Sequence, residues 1–273
     1  MVDEEKTGRG IHRLIVFDVE GVLIPKRRYL LFEVARKVGL WSFVKIFAVG
    51  FLYEVGLISL ESALRRIFTM LRGLKVEDVF QLYKKIPLMP GAEEVFNRLK
   101  GAGCKTALIS SGLPKLFVED LAARLKADYA FGLDLEEDNG YLTGVIGGDT
   151  LKPDGKAIVL RKILKEEDLS PEDCVVVADD RNNLPMFPLC TLKVGYNPDF
   201  ILNVKSDLVV RDDLTEILPI ITKNELQIPS HPISRSEIIR ESIHMGSFSV
   251  SFVCMYLLKS HLVALLIFLT TLL

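Results

Sequence analysis

The chain has 273 residues and a formal net charge of −2, from 34 basic and 36 acidic side chains mixed along its length. This balance gives no electrostatic basis for binding nucleic acid, which we exclude as a partner. Hydrophobic residues make up 49% of the sequence and the mean hydropathy is +0.29. The chain can therefore form one large domain or two smaller ones, and some segment should be unusually apolar.

The first predicted strand is a short apolar run that ends at a carboxylate. After a polar leader over residues 1–10, residues 15–17 (Ile-Val-Phe) lead into Asp18, and Glu20 and Gly21 follow. A short apolar run bounded by turn residues is typical of a buried strand in a parallel sheet. Ligands in such sheets bind beyond the carboxyl ends of the strands, so we expect Asp18 to lie at a functional site.

A helical pattern follows the first strand. From Tyr29 to about Ile86, apolar residues recur at helical spacing, and Ser59 with Glu61 marks a helix start. We predict an all-helical insert, or cap, over residues 27–86. Its aromatic side chains either form the core of the insert or face an apolar substrate; they are Trp41, Phe43, Phe47, Phe51 and Tyr53.

Strand and helix patterns alternate from Pro90 onward, which indicates a parallel sheet with right-handed crossovers. Asn139-Gly140 predicts a two-residue hairpin turn. The fold class is therefore predicted as α/β, a Rossmann-like parallel sheet flanked by helices, with a core domain formed by residues 11–26 and 87–222. Buried strands are predicted at 106–110, 174–178, 192–194 and 208–210, and helices at 92–100, 113–125 and 156–165.

The C-terminal part differs in composition. Residues 223–245 are predicted to be a linker and basic juxtamembrane segment, and residues 246–273 contain no acid and only Lys259 and His261 as basic residues. Lys259 would cost about 3 kcal/mol in the middle of a spanning helix, which favours a hairpin that turns there. We predict a transmembrane hairpin or helix that anchors the preceding domain at the cytoplasmic side of a membrane; a buried helix pair is the alternative.

Three further polar residues are predicted to lie at the same sheet edge as Asp18. Ser110 and Asp179 each end a buried strand, and Lys156 opens a helix after a Pro-Asp-Gly turn. The carboxyl ends of parallel strands share one edge, so these side chains can converge. Phosphoryl transfer requires a carboxylate nucleophile, groups that neutralise phosphate oxygens and a divalent ion. Two carboxylates suit Mg²⁺.

Four motifs follow one another in the chain: residues 18–22 (Asp-Val-Glu-Gly-Val), residues 110–112 (Ser-Ser-Gly), Lys156, and residues 177–183 (Val-Ala-Asp-Asp-Arg-Asn-Asn). Their order, strand context and spacing resemble the haloacid dehalogenase superfamily, and within it the phosphoserine-phosphatase-like branch. The resemblance covers about residues 11–218. It implies a phosphoric monoester hydrolase that uses Mg²⁺ and forms an aspartyl phosphate, with the helical insert as its cap.

The resemblance also implies a role for each matching residue. Asp18 would attack phosphorus, and Glu20 would protonate the leaving oxygen and then activate water. Mg²⁺ would bind Asp18, the backbone carbonyl of Glu20, and Asp179. Lys152 is a rival for the lysine of the third motif, but the distance to Asp179 and the following helix favour Lys156. Phosphate binding is implied for Ser110, Ser111, Lys156 and Asn182.

Two positions depart from the motifs of the family. Glu20 stands where Asp is common, so we expect activity with altered geometry. Asn183 stands where an acid is common, which should weaken metal binding, and Asp180 is the acid that could compensate. We therefore expect Asp180 and Asn183 just behind the metal ligands.

The residues implied for substrate specificity differ more strongly from those of phosphoserine phosphatases. Phosphoserine phosphatases hold the substrate amine with a Glu and its carboxylate with an Arg, and these positions are Arg27 and Ile67 here. Arg65 and Arg66 are candidates to replace the arginine, but Arg27 cannot attract an ammonium group. The expected partner is therefore a small phosphorylated substrate, either a polar metabolite or a lipid phosphate, and phosphoserine is disfavoured.

Residues 240–247 (Arg-Glu-Ser-Ile-His-Met-Gly-Ser) and the apolar residues after them resemble the start of the membrane domain of polyprenol or diacylglycerol kinases. This second resemblance favours an isoprenoid or lipid phosphate, and a membrane as partner through residues 246–273. The alternative function is a non-catalytic module on the same fold that binds a phospholigand or docks at a membrane. This alternative is motivated by Glu20 and Asn183, the two departures from the motifs of the family.

Overall fold

The computed structural model describes residues 14–26 and 40–221. The predicted leader, Arg27 with the start of the cap, the linker and the hydrophobic segment 246–273 lie outside the described residues. The chain divides into two units, Met1–Ile228 and Pro229–Leu273, and all of the description below concerns the first.

A seven-stranded sheet organises the described part of the chain, in the order β4-β3-β2-β1-β5-β6-β7. Neighbouring strands are parallel except for the antiparallel pair β3 and β4. The predicted α/β class with a Rossmann-like parallel sheet is thereby confirmed. The strands are β1 (Leu14–Asp18), β2 (Lys105–Pro114), β3 (Tyr129–Asp138), β4 (Tyr141–Gly147), β5 (Cys174–Ala178), β6 (Leu192–Tyr196) and β7 (Leu208–Val210).

Helices flank the sheet, and three of those described lie within residues 27–86, where the cap is predicted. The Ser59 side chain caps the second of these by accepting a hydrogen bond from the backbone N–H of Ser62 at 3.2 Å. The helices are α1 (Leu40–Glu54), α2 (Leu60–Met70), α3 (Val76–Tyr83), α4 (Ala92–Gly101), α5 (Lys115–Leu125), α6 (Gly155–Glu166), α7 (Phe200–Lys205) and α8 (Leu218–Ile221).

The central strand β1 is buried on both faces of the sheet. Ile15 and Phe17 face one apolar cluster, whereas Leu14 and Val16 face the other, which includes Leu160 of α6. Successive side chains of a strand point to opposite faces, so a strand covered on both sides must be apolar throughout. This burial carries the chain into a water-poor environment immediately before Asp18.

The β3–β4 hairpin joins the sheet to the cap helices. Asn139 and Gly140 have φ angles of 50° and 79°, the left-handed pair that a type I′ turn requires. The connection between α2 and α3 adds to β4 through backbone hydrogen bonds: Gly73 N–H donates to the Leu142 carbonyl at 2.8 Å, and Leu142 N–H donates to the Leu74 carbonyl at 2.9 Å. The predicted hairpin is therefore also the attachment point of the helical segment.

Within residues 14–26 and 40–221, no helix combines the length and the apolarity needed to cross a bilayer. The apolar helix α1 has 15 residues, fewer than the roughly 20 that a spanning helix needs.

Candidate active site

Asp18 is the last residue of β1 and is only 4% exposed. A tight turn follows it at once: the backbone N–H groups of Leu23 and Ile24 donate to the Val19 carbonyl at 2.9 and 3.1 Å, and Gly21 N–H donates to the Ile24 carbonyl at 2.7 Å. Within this turn Glu20 forms an isolated β-bridge with Ile24. Asp18 therefore lies at the carboxyl edge of the sheet, as the sequence predicts.

Two side chains from distant parts of the chain contact the Asp18 carboxylate. Lys156, 4% exposed at the start of α6, places Nζ 2.7 Å from Oδ1 of Asp18. Asn183 donates through Nδ2 to Oδ2 of Asp18 at 2.6 Å, and its Oδ1 accepts a hydrogen bond from Lys156 Nζ at 2.7 Å. The three side chains form a closed buried triangle that fixes the orientation of the carboxylate.

Opposing effects act on the Asp18 carboxyl group. Burial and the nearby Asp180 carboxylate raise its pKa, whereas the Lys156 ammonium and the Asn183 amide act against this increase. The net direction is upward. Lys156 is consequently the main group in the described residues that favours the ionised, nucleophilic form of Asp18.

Three carboxylates meet beside this triangle. One oxygen from each of Asp18, Asp179 and Asp180 lies within 4.8 Å of the others. Asp179 is 1% exposed, and its Oδ1 has no hydrogen-bond partner among residues 14–26 and 40–221. Clustered carboxylate oxygens with a bare lone pair are the donors that Mg²⁺ prefers, so the residues present fit this ion. Asp180 contributes directly to the cluster, closer than the supporting position expected from the sequence.

The surroundings of Asp179 show how the acid is held. Lys26 places Nζ 2.7 Å from Oδ2 of Asp179. Burial, followed by the charges of Asp18 and Asp180, raises the pKa of Asp179 to about 8, although Lys26 acts in the opposite direction. Gly21 has a φ angle of 90°, and a Cβ atom there would lie 1.9 Å from Oδ2 of Asp179. Only glycine leaves room for this close approach.

Ser110 lies in an irregular part of β2. The β2–β3 register shifts between Ile109 and Pro114, so residues 110–113 leave the regular ladder at the edge where Asp18 lies. Ser110 Oγ accepts hydrogen bonds from the backbone N–H groups of Gly112 and Leu113 at 3.1 and 2.9 Å, and it donates to Oε2 of Glu20 at 3.3 Å. Ser111 is buried beside it. The predicted phosphate-binding serines are thus next to the predicted acid–base residue.

Asn182 connects the fourth motif to the cap. Tyr53 on α1 donates its hydroxyl hydrogen to Oδ1 of Asn182 at 2.6 Å, and the Arg181 guanidinium lies 5.7 Å from the Tyr53 ring centre. Asn182 N–H donates to Oδ1 of Asp180 at 3.0 Å. The cap therefore contacts the site through Asn182, a residue next to the carboxylate cluster.

The structure distinguishes between the alternatives that the sequence leaves open. Lys152 pairs with Asp149 at 2.7 Å on the surface, whereas Lys156 contacts Asp18. Arg65 is bound to Glu61 and, at 3.0 Å, to the Ile146 carbonyl. Arg66 is exposed. Neither arginine is brought to the site, and Arg27 lies outside the described residues.

A pocket opens beside Glu20, between the cap helices, the C-terminal end of β2 and the hairpin. Ile67, at the position where the resemblance implies a carboxylate-binding arginine, lines this pocket and is 7% exposed. Leu64 and Phe68 of the same helix lie beside it.

Two functional contacts are missed by reasoning from the sequence. Lys26 belongs to a basic run after the first strand, which gives no sign that it would reach Asp179. From the sequence, Asn183 is notable only because it stands where an acid is common. In the structure its side chain hydrogen-bonds to both Asp18 and Lys156. Both contacts join segments that are far apart in sequence, so a local pattern could not reveal them.

The parallel sheet carries at its edge a lysine-paired aspartate next to a carboxylate cluster, the groups that phosphoryl transfer through a carboxylate nucleophile requires. A model of haloacid dehalogenase-like hydrolases matches residues 15–188. The chain belongs to this family. The predicted enzyme class, a phosphoric monoester hydrolase, is confirmed, and Mg²⁺ is the cofactor that phosphatases of this kind use.

Curated relatives agree with this placement. A phosphoserine phosphatase of Methanocaldococcus jannaschii is 34% identical over 207 residues, which cover 76% of this chain and 96% of that protein. One of Archaeoglobus fulgidus is 35% identical over 196 residues, 71% of this chain, and the match spans 55% of the length of that relative.

Solved structures agree as well. A substrate-bound phosphoserine phosphatase complex has a TM-score of 0.69 at 31% identity, and the match covers 78% of this chain and 99% of that one. A phospho-aspartyl intermediate analogue of phosphoserine phosphatase has a TM-score of 0.68 at 32% identity, covering 77% and 98% of the two chains.

Replacement of Gly21 tests the close approach to Asp179. In Gly21→Ala the added Cβ would lie 1.9 Å from Oδ2 of Asp179, so the acid or the turn must move. We expect kcat to fall about a hundredfold, the usual effect of a 1 Å misplacement at a reacting centre. Gly103→Ala is the matched control, because Gly103 also has a left-handed φ (77°) but an added Cβ meets nothing within 4 Å. Steady-state kinetics in which both variants lose activity equally would contradict this explanation.

The raised pKa of Asp179 predicts proton-coupled metal binding. Below about pH 8 the carboxyl group holds a proton that Mg²⁺ must displace, so the apparent affinity should rise with pH, by up to about tenfold per unit, and level off above pH 8. Calorimetric titrations with Mg²⁺ in buffers of different ionisation enthalpy measure the proton release. Asp180→Asn removes a like charge and should move the transition to lower pH; a pH-independent affinity between pH 6 and 9 would refute the coupling.

Proposed function

We propose that this chain hydrolyses a phosphomonoester with Mg²⁺ through an aspartyl-phosphate intermediate formed on Asp18. The observation that carries the proposal is the buried contact of Lys156 and Asn183 with Asp18, at 2.7 and 2.6 Å, next to the carboxylate cluster. A structural ion pair would not need two further acids beside it, since crowded buried carboxylates repel one another. Such crowding is typical of sites that bind a cation and do chemistry.

In the first step, the Asp18 carboxylate attacks phosphorus and the bond from phosphorus to the alcohol oxygen breaks. Glu20 gives its carboxyl proton to that oxygen, so the alcohol leaves neutral. Lys156 and Ser110 hold phosphate oxygens, and Lys156 also offsets the repulsion between Asp18 and the phosphate dianion. The Ser110–Glu20 contact at 3.3 Å keeps phosphate-binding and proton-donating groups adjacent.

In the second step, the Glu20 carboxylate takes a proton from water, whose oxygen attacks phosphorus. The bond between Asp18 and phosphorus breaks, which releases inorganic phosphate and restores both carboxyl groups to their starting forms. Asp18, Asp179 and the Glu20 carbonyl, with Asp180 beside them, would hold Mg²⁺, which would supply positive charge that screens one anion from another. Asn182 and Ser111 are proposed to contact the phosphate.

Substitution of the nucleophile tests this mechanism. In the full chain, Asp18→Asn keeps the size of the side chain but removes the attacking oxyanion, so phosphate release from an aryl phosphate should fall by at least about 10³-fold. Rapid quenching and mass spectrometry should detect a phosphorylated Asp18 peptide in the wild type alone. Glu93→Gln, an exposed acid on α4, is the control and should retain full activity. Unchanged turnover in Asp18→Asn would eliminate the mechanism, and ligand binding without turnover in the wild type would favour a non-catalytic module.

We further propose that the substrate is a lipid or isoprenoid phosphate and that residues 246–273 hold the enzyme at the cytoplasmic face of a membrane. The support is the acid-free, apolar composition of this segment and the resemblance of residues 240–247 to a lipid-kinase membrane domain. The full chain should sediment with membranes and need detergent for release. A chain that ends at residue 245 should remain in the supernatant; equal partition of both would contradict the anchor.

A further inference from the structure

The pocket beside Glu20 has an unusual chemistry for a site that handles a charged substrate. Of the thirteen described residues that line it, Glu20 alone has a charged or hydrogen-bonding side chain. The rest are aliphatic, aromatic, glycine or proline. Cap helices α2 and α3 supply one wall through residues such as Ile67 and Val79, and Leu135 and Leu142 of the hairpin supply another.

The location of the pocket relates it to the leaving group. Glu20 lies at its boundary, and Gly112, which also lines it, donates its N–H to Ser110 Oγ at 3.1 Å. The group that would protonate the leaving oxygen and the end of β2, whose Ser110 would hold the phosphate, therefore border the same space. An alcohol that leaves toward Glu20 has its carbon atoms in the pocket.

An amino-acid phosphate does not fit this lining. Its ammonium and carboxylate would need opposite charges, because an unpaired ionic group is costly to bury. Ile67 occupies the position at which the resemblance implies an arginine, and Arg65 is held outside by Glu61 and the Ile146 carbonyl. No cation of the described chain lines the pocket.

On this basis, and resting on the proposed phosphatase function, we infer that the pocket binds the carbon chain of an apolar alcohol, so that the substrate is an alkyl or prenyl monophosphate. The pocket volume is about 60 Å³, whereas one water molecule needs about 10–15 Å³. This space accommodates roughly four to six carbon atoms. The pocket therefore contacts the carbon atoms nearest the phosphate.

Binding of alkylphosphonates to the wild-type full chain with Mg²⁺ tests the inference without turnover. From methyl- to pentylphosphonate, calorimetry should show affinity rising about threefold per methylene and then levelling off. O-phosphoserine should compete at least tenfold more weakly than pentylphosphonate. Affinity that does not change with chain length, or tighter binding of O-phosphoserine, would overturn the assignment.

Substitution of Ile67 links the chain-length effect to the pocket. Ile67→Arg places a cation in the lining and should lower kcat/KM for pentyl phosphate at least tenfold while improving the relative rate with O-phosphoserine. Ile67→Met preserves apolar volume and should keep the wild-type preference. Thermal unfolding verifies that both variants fold. If Ile67→Arg fails to fold, binding of the phosphonate series to the wild type still decides the question.

The two proposals fail in different ways. If an aryl phosphate is hydrolysed with full dependence on Asp18 but the phosphonate series is flat, the pocket assignment is wrong and the phosphatase function stands. If phosphonates bind with the expected dependence on chain length but no monoester is hydrolysed, the catalytic proposal is wrong and the pocket assignment stands.

Discussion

The ion pair between Lys156 and Asp18 joins two buried charges at the carboxyl edge of the sheet, with Nζ 2.7 Å from Oδ1. Removing one partner of such a pair typically costs about 3–5 kcal/mol, because the other charge is left without compensation. Here the need for compensating positive charge is greater, because Asp179 and Asp180 add two further acids within 4.8 Å of Asp18. Lys26 and the Asn183 amide offset part of this negative charge, and Gly21 leaves the room that the Asp179 carboxylate occupies.

Much of this edge can be predicted from local sequence, because parallel topology turns a one-dimensional pattern into a shared location. Asp18, Ser110 and Asp179 each follow an apolar run, and Lys156 begins a helix after a turn; strands laid side by side then bring them together. The Asn139-Gly140 turn is predicted for a similar reason, since its two left-handed residues determine the hairpin almost alone.

Contacts between side chains of distant elements are harder to predict. The sequence shows Asn183 only as an absent charge, whereas the folded chain uses its amide as a donor to Asp18 and its carbonyl as an acceptor from Lys156. Likewise, nothing local shows that Ile67 of α2 and Leu142 of β4 face one pocket. Such proximity depends on how the helical segment sits on the sheet, and a pattern of apolar spacing does not contain that information.

The Asn139-Gly140 turn has a consequence beyond the hairpin itself. The turn sets the register in which Glu137 pairs with Leu142, and a register shift farther along the hairpin pairs Leu135 with Ile146. Side chains alternate along a strand, so a slip of one residue would exchange its inward and outward faces. Leu135 and Leu142 would then point away from the pocket, and their polar neighbours would point inward. The turn and the register shift together therefore decide whether apolar or polar side chains of the hairpin line the pocket, although neither Asn139 nor Gly140 is among the residues that line it.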